Sequence, residues 1–97
     1  MNRDMKLIAL ILEQVAEGGP YDVLAGLKLP VEYDRLVICR HLELIREAEL
    51  TIGVGSTHTV AKSGIEIGKS PGDYSIAIQG LTWKGYDVLE SLRGQRR

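Results

Sequence analysis

Two histidines, His41 and His58, and one cysteine, Cys39, are the side chains with which this chain could bind a metal or move a proton. A metal site needs three or four donors at close spacing, and two imidazoles with one thiol make no such set. Nucleophilic catalysis needs a base within reach of the nucleophile. Cys39 has no evident base beside it in the sequence and reads as a small, partly buried thiol on a helix flank. His41 follows Val37 by four residues and precedes Leu44 by three, so it shares their apolar face. A histidine there is expected to be buried and bonded to a backbone carbonyl or a nearby hydroxyl, not to act as acid or base. Gly53-Val54-Gly55-Ser56-Thr57 is rich in glycine, but the lysine and helix that complete a phosphate-binding loop do not follow. It reads as a strand end and turn. No enzymatic activity, metal, cofactor or small-molecule ligand is expected from these residues.

Function must then reside in surfaces, and charge is the first guide to them. A chain of 97 residues suits one domain, residues 1–97, around one modest core. Its net charge of −1 gives no global attraction to nucleic acid or membrane. The distribution is uneven. Residues 1–50 hold six Lys/Arg against nine Asp/Glu, and residues 51–97 hold six against four. The second half, ending in the tail Arg93-Gly94-Gln95-Arg96-Arg97, is where a polyanion would settle. Residues 93–97 are expected to be a flexible basic tail. A single cysteine allows no internal disulfide, which fits the cytoplasm. The apolar run Leu7–Leu12 is far too short to span a bilayer, and Glu13-Gln14 stands where a leader would have small residues.

The elements follow from periodicity and punctuation. Asp4 is a good N-cap for a helix over residues 5–17, which Gly18-Gly19-Pro20 would end. Its apolar positions Met5, Leu7, Ile8, Leu10, Ile11, Leu12 and Val15 cover more than one stripe. One small core would not take all of them, so Leu7, Leu10 and Ile11 are candidates for a homodimer interface. Pro20 to Ala25 allows one helical turn, and Leu27 with Leu29 a very short strand. Residues 31–49 contain no glycine and Pro30 precedes them, so they read as an amphipathic helix, either whole or split near Asp34 into a short helix and a longer one. Its core face carries Val37, Ile38, His41, Leu42, Leu44, Ile45 and Ala48, and Leu36, Arg40, Glu43 and Glu47 lie opposite. Beyond residue 50, TIGV, THTV, IEI and YSIAI are strand candidates, and Lys69-Ser70-Pro71-Gly72-Asp73 is a turn. An antiparallel hairpin or three-stranded sheet is expected.

The last stretch, LTWKGYDVLESLR over residues 81–93, begins as a strand and ends as a helix. Thr82 is placed to cap that helix, with Leu81 and Tyr86 at the positions of a hydrophobic staple. Gly85, Leu89 and Leu92 share one face. A glycine in a helix costs about 1 kcal/mol relative to alanine but lets another backbone approach. Trp83 is expected to cover one end of the core, so that Trp83→Ala would cost about 3–5 kcal/mol.

Three stretches resemble one family, the bacterial and prophage proteins grouped as domain of unknown function 2513. Asn2-Arg3-Asp4-Met5 with Leu7, Ile8, Ile11 and Leu12 is similar to its opening K-R-D-M and first helix. His41-Leu42, Leu44-Ile45, Glu47-Ala48 and Leu50 are similar to its Y-H-L-x-L-L-x-x-A-G-L-I segment. Leu81-Thr82-Trp83, Gly85, Leu89 and Arg93 resemble its L-T-W-x-G-H-x-F-L-D-x-I-R ending, the most specific of the three. Glu49 stands where that family has a helix-ending glycine, Tyr86 where it has histidine, and Arg40 where it has tyrosine. Residues 51–73 match nothing in the family. The resemblance implies a winged-helix-like α+β fold and a bacterial or phage origin, and no mechanism.

Two functions are open at this point. A winged helix places a helix in the major groove and a hairpin beside it. Duplex DNA would then be contacted by Arg35 and Arg46 on the helix flank, by Lys62 and Lys69 and His58 on the hairpin, and by Arg96 and Arg97. Glu43 and Glu47 on the outward face of the helix would repel phosphate. The first reading is a DNA-associated regulator. The alternative is a protein-interaction or assembly module that binds no DNA.

Overall fold

The computed structural model describes residues 4–19, 22–54 and 63–94. Among these, three helices and four short strands occur in the order α1 (Met5–Glu17), α2 (Arg35–Glu47), β1 (Thr51–Gly53), β2 (Ile65–Ile67), β3 (Tyr74–Ile76), β4 (Ile78–Leu81) and α3 (Trp83–Gly94). The class is α+β, with an N-terminal helix, a central helix, hairpin strands and a C-terminal helix.

Helix α1 is the centre of the core. It packs against α2, α3 and β4, and these three neighbours together take its broad apolar surface. Leu7, Ile11 and Leu12 are completely buried within one chain, and Ile8, Ala9 and Val15 nearly so. The candidate dimer face is therefore corrected. Leu7 and Ile11 point into the chain's own core, and only Leu10 of the three keeps partial exposure. The wide apolar arc of α1 reflects a helix with neighbours on several sides.

Both long helices are capped as their sequences require. The Asp4 carboxylate accepts the Leu7 N–H at 3.1 Å, and Asp34 accepts the Val37 N–H at 2.9 Å. Asp34 is thus the start of a single helix, and residues 31–33 form a turn before it. Helix α2 ends in a Schellman motif. The Leu50 N–H donates to the Ile45 carbonyl at 3.2 Å and the Glu49 N–H to the Arg46 carbonyl at 3.1 Å. Glu49 takes the left-handed conformation this motif needs, with φ of 57°. That is a strained choice for a residue with a Cβ.

The strands form two antiparallel pairs in place of one sheet, β1 with β4 and β2 with β3. The segment YSIAI serves both pairs and breaks at Ala77 between them. Ala77 donates to the Gly64 carbonyl at 2.7 Å and accepts from the Val54 N–H at 3.2 Å. Ile76 and Ile78 on either side both turn inward. The β2–β3 turn closes through an Asp73 N–H to Ser70 carbonyl bond of 3.0 Å, with Gly72 at φ of 78° after Pro71. A positive φ at the third residue, after proline, is what a type II turn demands.

Residues 22–30 differ from expectation. Residues 22–25 carry no helix, and Leu24 exchanges both backbone hydrogen bonds with Ile78 (2.8 and 3.0 Å). Leu27 and Leu29 form no strand. The Gln14 amide holds their segment instead, bonding both the N–H and the carbonyl of Lys28 at 2.8 Å. A side chain of α1 thus replaces the partner strand that this segment lacks. The strand candidate THTV lies outside the described residues.

Candidate interaction surface

Helix α3 divides cleanly into an inner and an outer face. Its start is fixed by Thr82, whose hydroxyl accepts the Gly85 N–H at 2.9 Å and donates to the Glu49 carbonyl at 2.8 Å. The Thr82 N–H also donates to the Leu50 carbonyl at 3.0 Å. One residue therefore caps α3 and ties it to the turn that ends α2. Gly85 lies against the Leu50 backbone so closely that a Cβ there would fall on the Leu50 carbonyl oxygen. Leu89 and Leu92 follow Gly85 into the core.

Trp83 does not. It is 90% exposed, which corrects the expectation that it covers the core. The cap explains the difference. With Thr82 as N-cap, Trp83 is the first helical residue, and it precedes Leu92 by nine positions, or about two and a half turns. Its side chain therefore leaves the helix on the side opposite Leu92. The Leu50 backbone and the Leu81 side chain lie beside Gly85 on the inner side.

The outer face of α3 consists of Trp83, Tyr86, Asp87 and Glu90, spaced i, i+3, i+4 and i+7. These four line a shallow cleft with Thr82, Leu81 and Ile52 of β1. Tyr86 is 52% exposed and Ile52 41%. Leu81 goes into the core while Tyr86 stays half outside, so any contact between the staple positions is made at the cleft edge. The result is two aromatic rings and an isoleucine next to two carboxylates, with no Lys or Arg among the described lining residues. Lys84 belongs to a separate apolar groove with Met5, Ile8, Leu44, Glu47 and Val88.

The second surface lies where α2 meets the β2–β3 turn. A cleft there is lined by Leu36, Cys39, Arg40, Glu43 and the turn residues 67–72, with Lys69 among them. Arg35 is already engaged. Its guanidinium sits 4.3 Å from the centre of the Tyr74 ring, and it donates to the Tyr74 carbonyl at 3.4 Å. Arg40 pairs with Glu43 at 3.8 Å. Arg46 is exposed at the far end of α2, outside this cleft. Of the residues proposed to touch DNA, Arg35 and Lys69 thus flank the turn, Arg46 stands apart, and Lys62, His58, Arg96 and Arg97 lie outside the described residues.

The side chains with potential chemistry are structural where they are described. His41 is 1% exposed. Its Nδ1 lies 2.8 Å from the Val37 carbonyl, and its Nε2 accepts the Asp4 N–H at 2.9 Å. Those partners select the neutral tautomer with its proton on Nδ1. The imidazole thus pins the start of α1 to the middle of α2. Asp4 has a second partner in the Tyr33 phenol. Loss of water contact, then the Asp4 and Glu32 carboxylates and the hydrogen bond that the phenol donates to Asp4, push the pKa of that phenol upward. Cys39 is 4% exposed, with Sγ 3.8 Å from the Asp73 carbonyl. Burial, then the Glu43 carboxylate, push its thiol pKa upward, away from the thiolate that a nucleophile needs. Among the described residues, no group of three His, Cys, Asp or Glu could hold a metal ion. No described helix is long and apolar enough to cross a membrane.

Compared with family models, curated proteins and solved structures, the chain gives no match. The cleft of Ile52, Trp83, Tyr86, Asp87 and Glu90 was missed by sequence reasoning that took Trp83 as core. The signal was present. Gly85, Leu89 and Leu92 define the inner face, and Trp83, Tyr86, Asp87 and Glu90 fall on the opposite arc of the same helix.

Proposed function

We propose that the protein is a small interaction module that docks a segment of a partner polypeptide on the outer face of α3. The observation that carries this reading is Trp83, which stands 90% exposed beside Tyr86 and Ile52 on a rigidly capped helix. A large aromatic side chain in water forgoes the burial that would stabilise the fold, and such residues are the common anchors of interfaces. The scaffold beneath is fixed by Thr82 and Gly85, so a partner would meet a preorganised surface.

A regulator that contacts duplex DNA is the second reading. The meeting of α2 with the β2–β3 turn supports it, because Arg35, Arg40 and Lys69 gather there. The same place weighs against it. Arg35 is stacked on Tyr74, Arg40 is paired with Glu43, and the turn packs beside the start of α2, where a groove-reading helix must be open. The winged-helix order of elements and membership of the domain of unknown function 2513 family are part of this second reading.

Selection of random 12-residue peptides on the intact chain, set against the Trp83→Ala variant, separates the two. Peptides that bind the wild type and weaken at least tenfold with Trp83→Ala are expected. If none depends on Trp83 while random-sequence duplex DNA binds with a steep salt dependence, the DNA reading replaces this one.

A further inference from the structure

We infer that the segment docked on α3 is basic, and that it lays an arginine or lysine side chain across Trp83 and Tyr86 toward Asp87 and Glu90. This deepens the proposed docking function and rests on it.

The face offers aromatic surface and negative charge together. Trp83, Tyr86, Asp87 and Glu90 recur at i, i+3, i+4 and i+7, which puts all four within one arc of α3. All four are exposed. The electron-rich faces of indole and phenol attract a cation, and indole does so best. A guanidinium suits such a site better than an ammonium, because it is planar, stacks on rings and pairs with carboxylates through two parallel hydrogen bonds. An acidic or phosphorylated segment would meet two like charges on the same arc.

Among the described residues, no Lys or Arg lines the cleft. The neighbouring cations are turned elsewhere, with Lys84 in the groove of Met5 and Val88 and Arg93 paired with Glu13 at 3.7 Å. The surface at the β2–β3 turn handles the same chemistry internally, where Arg35 already lies over Tyr74 at 4.3 Å. On α3 the aromatic and acidic partners stand together, and none of the described cations lines their cleft. Ile52 and the half-buried Thr82 edge the cleft, so the partner residue next to the cation would be apolar.

The test uses the peptides selected through Trp83 and the emission of that residue, the single tryptophan of the chain. The selected sequences should be enriched in arginine, then lysine, and a saturable change in emission should accompany binding. Asp87→Asn with Glu90→Gln should weaken binding about tenfold, and raising the salt from 0.05 to about 0.5 M should weaken it further, because exposed charges are screened within about 10 Å at 0.1 M. Replacing the peptide's arginine by citrulline, which keeps the shape and loses the charge, should abolish most of the affinity. Trp83-dependent peptides without basic residues, indifferent to salt and to the carboxylate changes, would overturn the cation and leave the docking site standing. No Trp83-dependent peptide at all would overturn both. Self-association through Trp83 in the absence of peptide, seen by sedimentation, would give the face to a second copy and overturn the inference.

Discussion

The two faces of α3 are built from the same twelve residues and obey opposite rules. Inward, Gly85, Leu89 and Leu92 meet the core so tightly that Gly85 has no room for a Cβ. Outward, Trp83 and Tyr86 are aromatic and yet face water, next to Asp87 and Glu90. Size and hydrophobicity therefore do not decide which residue is core here. Position around the helix does, and the cap residue sets that position. The inner face serves stability, and the outer face is free to serve recognition.

That contrast can be broken by mutation, beginning with the largest expected effect. Leu89→Ala removes a side chain that is 1% exposed and should cost about 2–5 kcal/mol, read as a lowered denaturant midpoint. A midpoint near that of the wild type would mean that the inner face is not the stabilising one. Thr82→Ala removes both the α3 cap and the bond to the Glu49 carbonyl, and should cost about 1 kcal/mol, most of which Thr82→Ser restores. If serine fared no better than alanine, the hydroxyl would not be the active group.

Directly beneath that cap, Glu49 holds φ of 57°. Glu49→Gly should stabilise the protein by about 1 kcal/mol, since glycine accepts the left-handed conformation without steric cost. For a domain of this size that is a rise in Tm of about 4–8 °C. An unchanged or lowered Tm would show that the Schellman turn is not strained. The smallest effect belongs to the largest side chain. Trp83→Ala should change stability by less than about 0.5 kcal/mol, as surface substitutions do. Its emission in the folded wild type should resemble that in urea. A loss of several kcal/mol would return Trp83 to the core and remove the basis of the docking surface.

Much of this was legible along the chain. The burial of His41 followed from its place on an apolar face, though its bond to the Asp4 N–H spans 37 positions. The caps Asp4 and Thr82 and the turn at Pro71-Gly72 depend on residues within a few positions of one another. Local rules suffice for these, because a cap or a turn is satisfied by its immediate neighbours. The close backbone approach at Gly85 was also foreseeable, since a glycine on an apolar helical face has few other uses. The homodimer face on α1 was misjudged for a reason of a different kind. The sequence of a helix shows how wide its apolar arc is, but not how many neighbours will share it.

By itself the sequence determined the elements, their ends and which arc of each helix is apolar, because these follow from side-chain period and backbone hydrogen bonding. Tertiary structure alone decided that α1 is enclosed by α2, α3 and β4, that YSIAI divides between two strand pairs at Ala77, and that Gln14 stands in for a strand beside Lys28. It also decided that the Leu50 backbone and the Leu81 side chain, set by pairings thirty residues apart, fill the space beside Gly85. Packing is a competition for volume among residues distant in sequence, and no local pattern records its outcome.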